Sequence, residues 1–241
     1  MENIVIYIMI SLVISALIGK LAYNAGYLTA GGSTAAFLIG SCIGILGSPN
    51  WLALLLVFAM IGFFVTRIGF SEKLKAGIQE GDHGERGFWN IVGVALPPLL
   101  FAIIDFIWQG NGDIVTIAFV ASVAVAMADT SASELGVRDS NVWLITTFKS
   151  VPPGTDGGVS VRGTVVSLIL ATAISIIGFI LTIGKVDVRV IIPIICGTIG
   201  CFLDSLLGAT LETKGIINKY TNNCATGILG GLLAIPLCLL L

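Results

Sequence analysis

The 241-residue sequence is short of charge: Asp, Glu, Lys and Arg make up 11% of it, against ~25% in an ordinary soluble domain. With 56% hydrophobic residues and a mean hydropathy of +1.03, that scarcity excludes a water-soluble domain of any usual kind. Histidine occurs once, at His83, and neither a G-x-S-x-G elbow nor a Ser/His arrangement is present, which argues against a hydrolase. A Walker A loop is absent throughout. The five cysteines (Cys42, Cys196, Cys201, Cys224, Cys238) form no C-x-x-C pair and no Cys/His metal spacing, so they read as small buried hydrophobes. Short alternating strands of the outer-membrane barrel type are missing. The first apolar run lacks a basic lead and an A-x-A cleavage site, and is expected to be a retained span, not a signal peptide. The net charge of −2 says little, because the distribution of charge matters more than its sum; no nucleic-acid partner is expected.

What the chain has in quantity is long apolar runs. A hydrocarbon layer ~30 Å thick needs ~20 mainly apolar residues per helix, and such runs fall at 2–19, 29–46, 51–66, 87–108, 113–131, 160–184, 187–207 and 225–241. The expected fold is an all-α, polytopic transmembrane helix bundle of seven to eight spans, one integral membrane domain over 1–241. Residues 29–66 allow a re-entrant hairpin as well as two crossings. Ten cations (Lys20, Arg67, Lys73, Lys75, Arg86, Arg138, Lys149, Arg162, Lys214, Lys219) fall on one side and two (Lys185, Arg189) on the other. The positive-inside rule makes the richer side cytoplasmic, so the cell membrane is expected to hold the protein with both termini outside. Most carboxylates gather on the same side; Glu2, Asp105, Asp113 and Asp187 do not.

Four segments on that side carry chemistry. In 66–90, Arg67, Lys73 and Lys75 precede the flexible stretch Gly81-Asp82-His83-Gly84, and Glu85, Arg86 and Gly87 lead into a span. These cations suit either anionic lipid headgroups or a phosphate ligand. In 126–136, Asp129 lies near the end of an otherwise apolar span, where a carboxylate is costly and marks a site by default. Asp129 and Ser133 share one helix face and Thr130 and Glu134 another, so Asp129 and Glu134 diverge by ~140° on a regular helix. In 146–164, Pro152-Pro153 ends any helix, and Gly154, Gly157 and Gly158 permit a nest of N–H groups beside Lys149 and Arg162. In 203–223, Asp204 sits at the depth of Asp129, and Asn222 and Asn223 open the last span, one of them as a helix cap.

Together these segments supply carboxylates for one or two divalent ions and cations with a Gly-rich loop for phosphate. Mg²⁺ typically takes one or two carboxylates plus substrate phosphates. A phosphate acceptor is already an anionic nucleophile, so phosphoryl transfer onto it requires no histidine base.

The strings ERGFWN (85–90), ADTSASELG (128–136), VPPGTDGGVS (151–160), LDSLLGATLE (203–212) and the Asn222-Asn223 pair resemble the signature blocks of a membrane family. That family includes the plant phytyl-phosphate kinases and animal transmembrane protein 19, and the resemblance covers nearly the whole chain. It implies a kinase that transfers a phosphoryl group, from CTP or another nucleotide, to a phytyl-, geranylgeranyl- or farnesyl-phosphate in the bilayer. By resemblance, Asp129, Glu134 and Asp204 would hold Mg²⁺ and, with Lys149, form the catalytic set. Lys73, Arg86, Asn90 and Arg162 would bind nucleotide or phosphate, within a loop of Gly154, Thr155, Asp156, Gly157 and Gly158; Asn222 and Asn223 would contact nucleotide or metal. The alternative from another class is a transporter of a phosphorylated or anionic solute. Broken helices and polar groups at the midplane would mark it, and here the ionisable residues stay near one face while the outer halves are nearly uncharged.

Overall fold

A computed structural model describes residues 2–110 and 112–240, with side chains from Val5 onward. The side chain of Glu2 and residue 241, on which two expectations fall, lie outside that description. The order is α1 (Glu2–Asn24), α2 (Ala30–Leu46), α3 (Pro49–Arg67), α4 (Phe70–Ala76), α5 (Phe88–Ile107), α6 (Ile114–Gly136), β1 (Val142–Leu144), β2 (Ser150–Val151), β3 (Gly158–Val159), α7 (Val161–Gly178), α8 (Ile191–Leu207) and α9 (Lys219–Cys238). Seven helical stretches are long and apolar enough to cross a membrane, and α2, with 17 residues, is a shorter eighth. The protein is therefore a polytopic helical membrane protein, as its runs of apolar sequence predict.

Helix α6 is the axis of the bundle. Val115, Ile117 to Ala121 and Ala124 are fully buried, because its small side chains let neighbours approach from every direction. Those neighbours present glycines at the contact: Gly197 and Gly200 of α8 lie against Ala124 and Val125, and Gly231 of α9 lies against Ala118. Small residues at such crossings are the usual means of packing helices in lipid, where no hydrophobic effect drives them together. Helix α1 uses the same device on α2, setting Ser11, Ser15 and Gly19 beside Gly44, Gly40 and Ser33. Of the five cysteines, Cys196 and Cys201 are buried as expected. Cys42 is exposed on the bundle's outer surface, where an apolar thiol faces lipid as readily as protein.

Helix α3 runs beside α6 through its depth: Trp51 stacks on Phe119 (4.1 Å between ring centroids), Gly62 faces Thr130, and Thr66 bonds Glu134. Helix α3 is thus long and apolar enough for a full crossing, with the 17-residue α2 before it. Helix α1 begins and α9 ends at the end where Arg189 pairs with Asp113 (2.9 Å) and Asp187 (2.7 Å). The remaining charged segments gather at the opposite end. Two of them hold structure that the all-α reading leaves out. Residues 70–76 form α4, and 142–159 form a small antiparallel sheet in the order β2-β1-β3, pairing Trp143 with Ser150 and with Val159.

Candidate active site

The last two turns of α6 send carboxylates two ways, as the ~140° divergence requires. Asp129 and Ser133 face a cavity of about 350 Å³ at the charged end; Glu134 also borders it, but its carboxylate turns toward α3 and α4. Glu134 accepts from the Lys73 ammonium at one oxygen, and from Arg86 (2.9 Å) and the Thr66 hydroxyl (3.0 Å) at the other. Lys73 is 2% exposed, and its remaining reach goes to the Thr66 carbonyl (2.7 Å). Arg86 is placed from its backbone upward. Its N–H donates to the Tyr27 carbonyl (2.9 Å), and its own carbonyl accepts from Thr29 N–H (3.1 Å). A Cβ at Gly32 would lie 2.2 Å from that carbonyl, so the Gly31-Gly32 start of α2 permits the approach.

Across the cavity, the Asp129 and Asp204 carboxyls meet within hydrogen-bonding reach at the α6–α8 contact. Helix α8 continues as a π turn over Gly208–Glu212, closed by Thr213 N–H on the Gly208 carbonyl (3.2 Å), and this turn carries Glu212 to the cavity rim. Asn222, 1% exposed, ties the two parts together by donating from Nδ2 to the Asp204 carbonyl (3.0 Å) and to Glu212 (3.4 Å). Its Oδ1 is buried without a hydrogen-bond partner. Asn223 lines the cavity. Neither asparagine caps α9, which begins at Lys219: Asn218 does so, its side chain accepting from Thr221 N–H (3.0 Å).

The proline-glycine loop forms one wall, through Gly154, Thr155, Asp156, Gly157 and Gly158. Gly154 and Gly157 take positive φ (84° and 76°), and Gly158 does not. The expected nest is partly spent within the turn: Thr155 N–H donates to the Pro152 carbonyl (3.3 Å), and Gly158 N–H to the Thr155 carbonyl (2.8 Å). Gly157 instead docks the loop onto α8, where a Cβ would lie 2.3 Å from that of Ala209. Lys149 and Arg162 are exposed and do not border the cavity. Asn90 serves its own helix: its Oδ1 accepts from Gly87 N–H (3.1 Å), and its Nδ2 holds Glu80 (2.7 Å).

Glu80 is one residue that the sequence reading passed over. It faces Arg86 (3.6 Å), Asn90 and Lys219 (2.5 Å). Burial pushes its carboxyl upward, but Arg86 and Lys219 outweigh that and hold it below the ordinary glutamate range. Lys219 is the second. It borders the cavity, and its charge acts on Asp129, Asp204 and Glu212. With the last span expected to begin at 225, Lys219 was one loop cation among ten. Starting the helix six residues earlier puts it at i, i+3 and i+4 to Asn222 and Asn223, on one face with them.

Among the described residues no group of three His, Cys, Asp or Glu side chains could enclose a divalent ion. The facing Asp129 and Asp204 carboxyls fit an ion that takes its other ligands from water and phosphate, as Mg²⁺ does. Glu134 borders the same cavity, but both its oxygens are engaged, one by Lys73 and the other by Arg86 and Thr66.

Residues 13–230 match the family described as Integral membrane protein DUF92. The chain belongs to this family. It is 36% identical over 194 residues to an uncharacterized membrane protein of Methanocaldococcus jannaschii, covering 77% of this chain and 75% of that one. It is 30% identical over 228 residues to Protein PGR of Arabidopsis thaliana, covering 85% and 79%. It is 28% identical over 218 residues to the chloroplastic Protein VTE6 of the same plant, covering 86% and 64%. The family resemblance drawn from the signature blocks is thereby borne out. No solved structure matches the chain significantly.

Proposed function

We propose that the protein is a prenyl-monophosphate kinase. The observation that carries this reading is the placement of one polar cavity at the end of an apolar bundle. There two carboxyls in contact, a Gly-rich wall and one lysine lie at the level where a lipid phosphate would sit with its chain among the helices. Phosphoryl transfer asks the protein mainly for positioning and charge compensation, and these residue types supply both. An oxygen of the prenyl phosphate attacks the terminal phosphorus of a nucleoside triphosphate. A new P–O–P bond forms, the bond to the bridging oxygen breaks, and the nucleoside diphosphate leaves with that electron pair. The resemblance supports CTP as the donor and a phytyl-, geranylgeranyl- or farnesyl-phosphate as the acceptor. Mg²⁺ held by Asp129 and Asp204 would supply charge neutralisation to the phosphates. The ten-to-two distribution of cations supports a cytoplasmic cavity, where nucleotide is present.

The outer half of α6 supports an enzyme over a transporter. Val115 to Val125 are buried and apolar but for Thr116 and Ser122, and the Ser122 hydroxyl is spent on the Phe119 carbonyl (2.7 Å). The deciding experiment incubates purified protein with CTP, ATP, GTP or UTP and a series of prenyl monophosphates. Nucleotide-dependent prenyl diphosphate is the expected product. If reconstituted protein carries an anionic solute across liposomes and makes no diphosphate with any nucleotide, the kinase reading is wrong.

A further inference from the structure

The cavity is rich in carboxylates, with Glu80, Asp129, Glu134, Asp156, Asp204 and Glu212 on its walls, and any phosphate entering it must meet a cation. The cations expected to play that part are committed elsewhere or stand outside. Lys73 is closed from solvent on Glu134 and the Thr66 carbonyl, and Arg86 is fixed between Glu134, Thr66 and Glu80. Lys149 and Arg162 do not border the cavity. Among the described lining residues, Lys219 is the single lysine or arginine.

Lys219 is also lightly held. Its side chain is 49% exposed, and its ammonium is held by one partner, the Glu80 carboxylate (2.5 Å). Glu80 keeps Asn90 and Arg86 when that ammonium departs, so the exchange leaves no buried charge without a partner. A lysine is suited to the exchange, being a compact charge with three donors on a flexible stem. We infer that Lys219 is the phosphate-binding cation of the cavity and that Glu80 is its resting partner, surrendering it when a phosphate enters. The identity of that phosphate rests on the kinase reading; the role of Lys219 as an anion ligand does not.

The test therefore separates binding from turnover. Inorganic pyrophosphate is titrated calorimetrically, with Mg²⁺ present, into detergent-purified wild type, Lys219→Gln, Lys219→Arg, Glu80→Gln and, as a control at the far end, Lys185→Gln. Loss of one charge-assisted contact predicts an affinity at least ~10-fold weaker for Lys219→Gln, with Lys219→Arg intermediate and Lys185→Gln unchanged. Glu80→Gln should bind no more weakly than wild type, since it removes a competitor for the ammonium. Wild-type affinity in Lys219→Gln overturns the inference, and weakened binding in Glu80→Gln overturns the exchange. If wild type forms no prenyl diphosphate yet binds pyrophosphate through Lys219, the inference stands and the kinase reading falls. If Lys219→Gln turns over at the wild-type rate, the inference falls alone.

Discussion

Lys73 and Glu134, 61 residues apart in sequence, form an ion pair closed to solvent between α4 and α6. Glu134 is shared with Arg86, which also faces Glu80, so of its two cations only Lys73 has no other carboxylate partner. Glu134→Gln leaves Lys73 charged, buried and without its ion partner, and unpairing of that kind costs ~3–5 kcal/mol. Lys73→Met leaves Glu134 with Arg86 and Thr66 and is expected to cost less than half as much. Thermal unfolding in detergent should rank them in that order. A Lys73→Met protein as unstable as Glu134→Gln would show that Arg86 does not sustain Glu134.

The Asp129–Asp204 contact leads to a different expectation. Two neighbouring carboxyls repel when both are ionised, so replacing either with Asn relieves that repulsion while removing charge from the cavity. Asp129→Asn and Asp204→Asn should each keep or raise the melting temperature and lower prenyl diphosphate formation at least ~100-fold. A folded Asp129→Asn protein with the full rate would remove the pair from the chemistry.

Gly157 and Gly77 have similar positive φ (76° and 69°) in different surroundings. A Cβ at Gly77 meets nothing within 4 Å, whereas at Gly157 it would strike Ala209 and the Ser205 carbonyl. Gly77→Ala should therefore cost only the ~1–2 kcal/mol of a left-handed alanine. Gly157→Ala should also lift the loop from α8, and turnover should fall much further than stability does. Equal activity in the two variants would show that the docking of the loop on α8 is immaterial.

Ser71, Ser140 and Lys214 are exposed at the cavity end. Single cysteines placed there in a cysteine-free background should all be labelled by an impermeant maleimide from the inner side only. Labelling of all three from outside would invert the protein. A split result would contradict the bundle itself.

Much of this architecture was legible in the sequence because a bilayer imposes its rules locally. Runs of apolar residues mark spans wherever they fall, and the cation imbalance is a count over loops. The divergence of Asp129 and Glu134 follows from helix periodicity alone, and the agreement in depth of Asp129 and Asp204 from their places at the ends of their spans. The turn-forming sequence of 152–158 announced its glycines, though the positive φ went to Gly154 and Gly157 and not to Gly158. The small sheet and α4 were hidden because strands of two or three residues and a helix of seven are too short to show a period.

What the sequence by itself determined, then, is the membrane class, the spans and the end of the bundle at which the polar residues meet. Which cations are free and which are spent was decided only by the tertiary structure. Lys73, Arg86, Lys149, Arg162 and Lys219 look alike in sequence, each a basic residue in or beside a loop. Their roles part because a charge takes its character from its nearest partner, and the partners are remote: Glu134 for Lys73 and Arg86, and Glu80, 139 residues away, for Lys219. Ion pairing is set by distance in space, and distance in space exists only once α3, α4, α6 and α9 have packed.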